Sequence, residues 1–115
     1  QLEQLPGFLA AKRRLAKRYA EAFAETTAAD FVAAPAQCES NYWLNAILVD
    51  AAVPGLRDDV LAALNNAGMM ARPAWALLNT LPAFADASRM PDLTTAEDIV
   101  RRLINLPSSA ILGEV

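Results

Sequence analysis

The stretch GMMARPAW, residues 68–75, organises the rest of the sequence. It follows a strongly helical segment, and its part Met69–Arg72 has the composition of a short strand that Pro73 would end. Arg72 is the only guanidinium in a long uncharged run. An arginine in such a place has an anionic partner, which is either an acid of the same chain or the phosphate or carboxylate of a ligand.

A helix is predicted immediately before this stretch, over Leu56–Ala67. The turn residues 53–55 precede it, and Asp58 and Asp59 lie in its first turn, where the helix dipole favours acids. Gly68 supplies the C-terminal cap. The predicted buried stripe of this helix consists of Val60, Ala63, Leu64 and Ala67.

Two strands are predicted on the N-terminal side of that helix. Tyr42–Val49 is an aromatic and aliphatic run interrupted only by Asn45, which predicts a central strand covered on both faces. Asp30–Ala34 is interpreted as a short edge strand stopped by Pro35. With Met69–Arg72 they give the order strand, helix, strand, which suits a parallel crossover or, with other strands intervening, a mixed sheet.

The beginning of the sequence predicts an amphipathic helix over residues 6–25 that starts near Pro6. Lys12 falls inside the apolar stripe, where it either extends its ammonium to the rim of the buried face or pairs with an acid. The other basic residues of Lys12–Arg18 form a charged face. We interpret that face as solvated, because two glutamates share it and the aromatic side chains lie opposite; phosphate contact is the alternative.

The last part of the sequence predicts an irregular excursion followed by a third helix. Residues 73–92 contain three prolines and two short apolar runs, with one helical turn expected near Pro82–Asp86. Thr94 and Glu97 have the spacing of a capping box, which predicts a helix of two to three turns. Leu103–Leu106 either completes that helix or begins a last strand.

Composition bounds the function classes. At 115 residues and 55% hydrophobic, the chain suits one compact domain. Its 13 acidic and 10 basic residues give a net charge of -3, which argues against nucleic acid or an anionic membrane as the main partner. Cys38 is the only cysteine and histidine is absent, which removes an internal disulfide, most zinc chemistry and imidazole catalysis. No apolar run is long enough to span a bilayer, so a cytoplasmic location is expected.

No set of catalytic groups can be assembled from these residues. The sequence contains no glycine-rich phosphate loop and no nucleophile elbow. Its two lysines, Lys12 and Lys17, are predicted on a helix, where an exposed amine stays protonated and is a poor nucleophile. We therefore predict no catalytic, cofactor-binding or metal-binding residue in this chain.

Ligand binding is the chemistry that remains, and Arg72 is its strongest candidate. The planar guanidinium can hold a phosphate or a carboxylate through two hydrogen bonds at once. The alternative is a salt bridge to Asp50, Asp58 or an acid in a loop. Spacing alone does not favour a ligand over an acid of the same chain as the partner of Arg72.

Aromatic and amide side chains are the other ligand candidates. Trp75 and Trp43 can stack on a sugar or a base, although tryptophan in an apolar segment is more often core or interface. Asn41 and Asn45 can orient a polar ligand, although hydrogen bonding within a loop or at a strand end is the commoner use of asparagine.

Several stretches together resemble the C-terminal end of the DegT/DnrJ/StrS-type sugar aminotransferases, which use pyridoxal phosphate to aminate keto sugars carried on nucleotides. The stretches that carry the resemblance are 1–5, 12–19, 41–45, 57–58, 68–75 and 96–109. The match spans nearly the whole chain. Residues 42–43 and the Arg-Pro-x-Trp loop are most similar to the legionaminic-acid-pathway branch.

The resemblance implies an α/β fold of the α+β type, with a few-stranded, largely antiparallel or mixed sheet flanked by about three helices. Residues 1–115 would be the small C-terminal domain of a longer enzyme, and the helix 6–25 would link it to a preceding cofactor domain that holds pyridoxal phosphate and the catalytic lysine. The entry into a helical pattern at Gln1 is interpreted in the same way. The chain alone is expected to be inactive.

The resemblance also implies the reaction and the substrate site. The complete enzyme would transfer an amino group from glutamate to a nucleotide-linked keto sugar, for cell-surface polysaccharide or glycan biosynthesis, and would form a homodimer. The residues placed near the nucleotide sugar are Arg72, at the diphosphate, with Trp75, Asn41 and Tyr42. Many relatives carry a histidine in this loop and this sequence has none, so the identity of the sugar and the nucleotide stays open.

A stand-alone protein-interaction domain without catalysis is the alternative function, and a nucleic-acid module is the third. If a large domain normally covers this chain, an apolar patch is expected either on the first helix, around Phe8, Lys12 and Tyr19, or near Trp75.

Overall fold

The computed structural model describes residues 2–114. Its α-helices are α1 (Leu5–Phe23), α2 (Leu56–Asn66) and α3 (Thr94–Arg102). Its strands are β1 (Ala29–Phe31), β2 (Asn45–Val49), β3 (Arg72–Pro73) and β4 (Leu103–Leu106). Short 3-10 helices cover Leu2–Gln4, Leu78–Thr80, Pro82–Phe84 and Ala110–Gly113. The predicted α/β class with about three helices is confirmed.

The four strands form one antiparallel sheet in the order β1-β2-β4-β3. The central pair is β2 and β4, in which Asn45 lies opposite Leu106 and Ile47 lies opposite Ile104. This arrangement confirms the largely antiparallel sheet. The strands β2 and β3 run in the same direction but do not pair, because β4 lies between them, so the strand–helix–strand unit is the alternative with an intervening strand. Leu103–Leu106 is therefore the last strand and not the end of α3.

One face of the sheet carries the core. Successive side chains of a strand point to opposite faces, so Ile47 and Val49 of β2 share a face with Ile104 and Leu106 of β4. Side chains of α1 and α2 pack on this face; they are Tyr19, Phe23, Leu56, Val60, Leu61 and Leu64. The opposite face of β2 is only partly covered, so the prediction of a strand buried on both faces is wrong.

The central strand is also shorter than predicted, because Tyr42 interrupts it. Tyr42 has a φ of 46°, in the left-handed region that a strand cannot accommodate, and β2 begins only at Asn45. The predicted edge strand is confirmed as β1, which begins one residue earlier than expected and ends at Phe31 instead of Ala34. The strand predicted over Met69–Arg72 is β3, which begins only at Arg72 and ends at Pro73. A proline is tolerated in β3 because it is an edge strand, where a missing N–H group costs little.

The helices agree with their predicted positions but not with every predicted contact. Gly68 has a φ of 78° and follows the last turn of α2, as predicted. Ala63 and Ala67 are exposed and not buried, because Leu56 and Leu61 face the core together with Val60 and Leu64.

The predicted capping box at the start of α3 is wrong. Leu93 occupies the N-cap position, without a side-chain hydrogen bond, and the Asp92 carboxylate accepts the hydrogen bond of the Thr94 N–H at 2.9 Å. The hydrogen bonds from Thr94 lower the pKa of Asp92 below its ordinary value of 3.8. The predicted helical turn near Pro82 is confirmed.

The segment after β4 packs closely against α1. The Tyr19 hydroxyl donates a hydrogen bond to the Pro107 carbonyl at 3.0 Å, and the Arg14 guanidinium donates one to the Gly113 carbonyl at 3.0 Å. Gly113 is buried, and a methyl group on its Cα would collide with the Ala11 carbonyl group, whose carbon would lie 2.7 Å away. The close approach of backbone to backbone therefore requires glycine at position 113.

Replacement of Gly113 by alanine should lower the free energy of unfolding by about 1–3 kcal/mol, because the added methyl group forces the last segment away from α1. Chemical denaturation followed by circular dichroism measures this change. Gly7→Ala is the matched control, because a methyl group at Gly7 meets nothing within 4 Å and alanine favours the helix. Equal stability of Gly113→Ala and the parent chain would show that the close approach is not required.

Candidate functional site

Arg72 lies on the face of the sheet that α1 and α2 leave open. It is directly opposite Asn105 in the pairing of β3 with β4, and Asn105 is in turn opposite Ala46 of β2. The Asn105 amide donates a hydrogen bond to the Pro73 carbonyl at 3.3 Å, which ties the two strands together beside Arg72. Pairing with a neighbouring strand therefore fixes the backbone from which the guanidinium extends.

The alternative for Arg72, a salt bridge to an acid of the same chain, is not found within residues 2–114. The ion pairs of these residues involve other arginines and Lys17, and Asp58 pairs with Arg57 at 2.7 Å. Asp50 accepts a hydrogen bond from the Ala52 N–H. The Arg72 side chain is exposed. Within the described residues, no acid competes with an external anion for this guanidinium.

Two tryptophans stand beside Arg72. The ring centroids of Trp43 and Trp75 are 6.1 Å apart and the ring planes are inclined by 35°. Their exposed fractions are 64% and 73%, so neither ring lies in the core of the described residues, and of the expected alternatives to ligand stacking only an interface role stays open. Arg72, Trp43 and Trp75 line an open cleft of about 430 Å³ together with Leu44 and Asn105, and we call it the Arg72 cleft.

Asn41 and Tyr42 do not line the Arg72 cleft. The Asn41 Oδ1 atom accepts a hydrogen bond from the Trp43 N–H at 2.9 Å, and Asn41 lines a second cleft on another side of Trp43. The Tyr42 ring stacks on Phe31, with centroids 6.4 Å apart, towards the β1 edge of the sheet. The structure thus brings Arg72 and Trp75 together with Trp43, and leaves Asn41 and Tyr42 as parts of the segment that carries Trp43.

The second cleft has apolar walls. It has a volume of about 420 Å³, and it is lined by Leu5, Phe8, Leu9, Lys12, Asn41, Trp43 and Ala110. Phe8 and Trp75 are exposed, so the expected apolar patch is found both on α1 and near Trp75. Tyr19 does not belong to it, because it is half-buried on the core side.

Asn45 has a structural use. It is 1% exposed at the start of β2, and its N–H and its Nδ2 both donate hydrogen bonds to the Ser108 hydroxyl, at 2.8 and 3.2 Å. That hydroxyl donates in turn to the Leu106 carbonyl. The Oδ1 atom of Asn45 is buried without a hydrogen-bond partner. The alternative of strand-end hydrogen bonding is thus the one that the structure favours.

Lys12 pairs with backbone carbonyls and not with an acid. Its ammonium donates to the carbonyl oxygens of Tyr42, Trp43 and Ser108 at 3.3, 3.1 and 2.6 Å. Burial lowers the pKa of Lys12 below its ordinary value of 10.5. The position of Lys12 in the apolar stripe of α1 was predictable from the sequence, but its acceptors were not, because they come from distant parts of the chain.

The remaining basic residues of α1 are engaged within the chain. Arg13 pairs with Glu39, Lys17 pairs with Glu21, and the Arg14 and Arg18 guanidinium groups donate to the carbonyls of the last segment. Their contacts suit the interpretation of this face as solvated and do not favour phosphate contact. Within residues 2–114, no group of His, Cys, Asp and Glu side chains could hold a metal ion, and no helix is long and apolar enough to cross a membrane.

Sequence reasoning missed Asn105 and Leu44 as residues of the Arg72 cleft. Asn105 was in a segment whose helical or extended state was open, and its place opposite Arg72 depends on strand register. A signal was present, because Asn105 is a polar residue in an apolar run that precedes Pro107.

Comparison with known proteins agrees with this fold. The sequence model of the DegT/DnrJ/EryC1/StrS aminotransferase family matches residues 1–114. The chain belongs to this family. No curated protein sequence matches it.

Several solved structures contain a part with the same fold as this chain. A DegT/DnrJ/EryC1/StrS aminotransferase from Brucella abortus matches with a TM-score of 0.82 and 25% identity, over 96% of this chain and 28% of that one. PseC of Helicobacter pylori, an aminotransferase involved in pseudoaminic acid biosynthesis, matches with a TM-score of 0.84 and 20% identity, over 96% and 30%. The Escherichia coli GDP-4-keto-6-deoxy-D-mannose-3-dehydratase, with bound hydrated pyridoxal phosphate, matches with a TM-score of 0.83 and 19% identity, over 96% of this chain and 29% of that one. The chain thus spans less than a third of the length of these proteins.

Proposed function

We propose that this chain supplies one wall of the substrate cleft of a pyridoxal-phosphate-dependent aminotransferase that acts on a nucleotide-linked keto sugar. In this proposal Arg72 binds the diphosphate, and Trp43 and Trp75 pack against the sugar or the base. The observation that carries the proposal is an exposed arginine, without an acid partner in residues 2–114, beside two exposed tryptophans.

The chemistry of the Arg72 cleft suits such a ligand. A guanidinium with five N–H donors can bind adjacent phosphate oxygens through two hydrogen bonds, and it stays charged at every physiological pH. The Asn105 side-chain amide can donate hydrogen bonds to sugar hydroxyl groups and accept them, and the carbonyl groups of the cleft can accept them. Indole rings supply flat apolar surface for a sugar ring or a base, and they lose little conformational entropy on binding.

The residues of this chain do not fit the anchoring of pyridoxal phosphate. Lys12 directs its ammonium to three carbonyls, and Lys17 is exposed and pairs with Glu21. Hydrogen bonds to carbonyls occupy the ammonium of Lys12, and the amine of Lys17 lies at the surface, so neither is placed as the nucleophile of an imine-forming site. We therefore assign the catalytic lysine and the phosphate-binding residues to a separate cofactor domain of the same enzyme, linked through α1, and this chain to its small C-terminal domain.

The finer parts of the proposal rest on the family resemblance. They are glutamate as the amino donor, a homodimeric enzyme in the cytoplasm, and a product used in cell-surface polysaccharide or glycan biosynthesis, in a branch similar to that of legionaminic acid. Two of the aligned proteins are linked by their descriptions to pseudoaminic acid and to a GDP-linked sugar, which agrees with a nucleotide-sugar substrate class.

A protein-interaction domain is the second candidate function. The observation that favours it is the apolar second cleft, where Phe8 and Trp43 are exposed side by side with Leu5. Under this alternative the surface docks a separate partner and Arg72 binds no nucleotide. The experiment on Arg72 distinguishes the two functions.

Arg72→Ala should weaken the binding of nucleoside diphosphates by about 10- to 100-fold, which corresponds to the loss of charge-assisted hydrogen bonds of about 1.5–3 kcal/mol. Quenching of tryptophan fluorescence during titration with UDP, GDP and dTDP measures the affinity, since both tryptophans of the chain lie at the cleft. Arg72→Lys should recover only part of it, because an ammonium lacks the planar pair of donors.

Arg89→Ala is the control for net charge, because Arg89 is also exposed and lies outside the Arg72 cleft. It should leave nucleotide binding unchanged. If Arg72→Ala and Arg89→Ala bind the nucleotides equally well, the assignment of Arg72 is wrong.

Incubation of the 115-residue chain with pyridoxal phosphate followed by borohydride should give no stoichiometric pyridoxyl adduct, because the Lys12 ammonium is bound to three carbonyls and Lys17 pairs with Glu21. Intact mass measures the adduct, and the complete enzyme is the positive control. A stoichiometric adduct that digestion maps to either lysine would contradict the assignment of the cofactor site to another domain.

A further inference from the structure

The ammonium of Lys12 joins three separate parts of the chain. It extends from α1 and donates to the carbonyls of Tyr42 and Trp43, which precede β2, and to that of Ser108, which follows β4. An ammonium has three N–H donors, so these acceptors match its full donor capacity. Hydrogen bonds with a charged donor are stronger than neutral ones.

Two of these acceptors are the carbonyl groups of Tyr42 and Trp43, and the backbone of Tyr42 has an unusual conformation. Within residues 2–114, Tyr42 is the only residue other than glycine that has a positive φ, and its φ is 46°. Such a conformation is unfavourable for a residue with a Cβ atom and persists only where surrounding contacts impose it. The contacts are visible here: Ser40 Oγ accepts from the Tyr42 N–H, Asn41 Oδ1 accepts from the Trp43 N–H, and Lys12 binds both carbonyls.

The backbone turn at Tyr42 determines where the next side chain points. Tyr42 directs its ring to Phe31 at the β1 edge, whereas Trp43 directs its ring to Trp75 at the β3 edge. Because Trp43 is 64% exposed, contacts of its own ring do little to hold it. The backbone of residues 42–43 must supply most of that restraint.

We propose that Lys12 is a positioning residue, which holds the Tyr42–Trp43 backbone so that the Trp43 ring forms a wall of the Arg72 cleft. This assignment deepens the proposed function and rests on it for its biological use. Lys12 itself touches no substrate in this account. It acts through the carbonyl groups of Tyr42 and Trp43, and it lies 31 residues before Trp43, whose ring it orients.

The pair of tryptophans gives a direct measurement of this arrangement. They are the two tryptophans of the chain, so the exciton couplet in its circular dichroism comes from this pair, and its amplitude depends on the distance and the angle between the rings. Trp43→Phe and Trp75→Phe each abolish the pair and therefore give the baseline. No ligand is needed, so the result is independent of whether Arg72 binds a nucleotide.

Lys12→Met removes the ammonium and keeps the length of the side chain, and it should abolish most of the couplet while the far-ultraviolet spectrum still shows a folded chain. Lys12→Arg, which retains a charged donor, should recover part of the couplet. Lys17→Met is the matched control on the same helix, because Lys17 is exposed and pairs only with Glu21 among the described contacts. It should leave the couplet unchanged.

A folded Lys12→Met chain with the full couplet would overturn the positioning assignment, and so would an equal loss in Lys17→Met. If Lys12→Met does not fold, Lys12→Gln takes its place, since it is neutral but keeps one N–H donor group; a folded Lys12→Gln chain with the full couplet would overturn the assignment equally. A purely structural tether would lower the melting temperature without changing the couplet of the folded chain.

Discussion

The antiparallel pairing of β2 with β4 is the constraint on which the rest of the structure depends. It buries Ile47 against Ile104 at the centre of the sheet, and each of these side chains contributes roughly 1.5–3 kcal/mol through burial. The two strands are distant in the sequence, so their pairing closes a long loop that contains α2 and α3. The helices α1 and α2 cover the apolar face that this pair creates.

The same pairing arranges the candidate site. Its register places Asn105 opposite Ala46 on the face that α1 and α2 leave open, and the pairing of β3 with the other side of β4 then brings Arg72 next to Asn105. At the end of the pair, Ser108 accepts hydrogen bonds from Asn45 and offers its carbonyl to Lys12. The buried face therefore supplies stability, and the open face with its adjacent segment supplies the arginine and tryptophan side chains of a binding cleft.

The sequence predicted those features of the fold that depend only on residues close together in the chain. The periodicity of α1 and α2, the glycine cap at Gly68 and the edge strand β1 are of this kind. The sequence could not predict contacts that depend on register or on a single backbone turn. The position of Asn105 opposite Arg72 requires the β3–β4 register, and the three acceptors of Lys12 require the turn at Tyr42. An aromatic run such as residues 42–44 fits a strand by composition, and tertiary contacts override that preference.

The central claim is that Arg72 meets an anionic ligand between two tryptophans. Nuclear magnetic resonance of the nitrogen-15-labelled chain during titration with a nucleotide sugar such as UDP-N-acetylglucosamine tests it most directly, through the Nε–H signals of the arginines and the two indole N–H signals. The account predicts that Arg72, Trp43 and Trp75 shift together and saturate at one concentration, while Arg89 does not move. Shifts confined to other arginines, or equal shifts at Arg72 and Arg89 with still tryptophan signals, would contradict it.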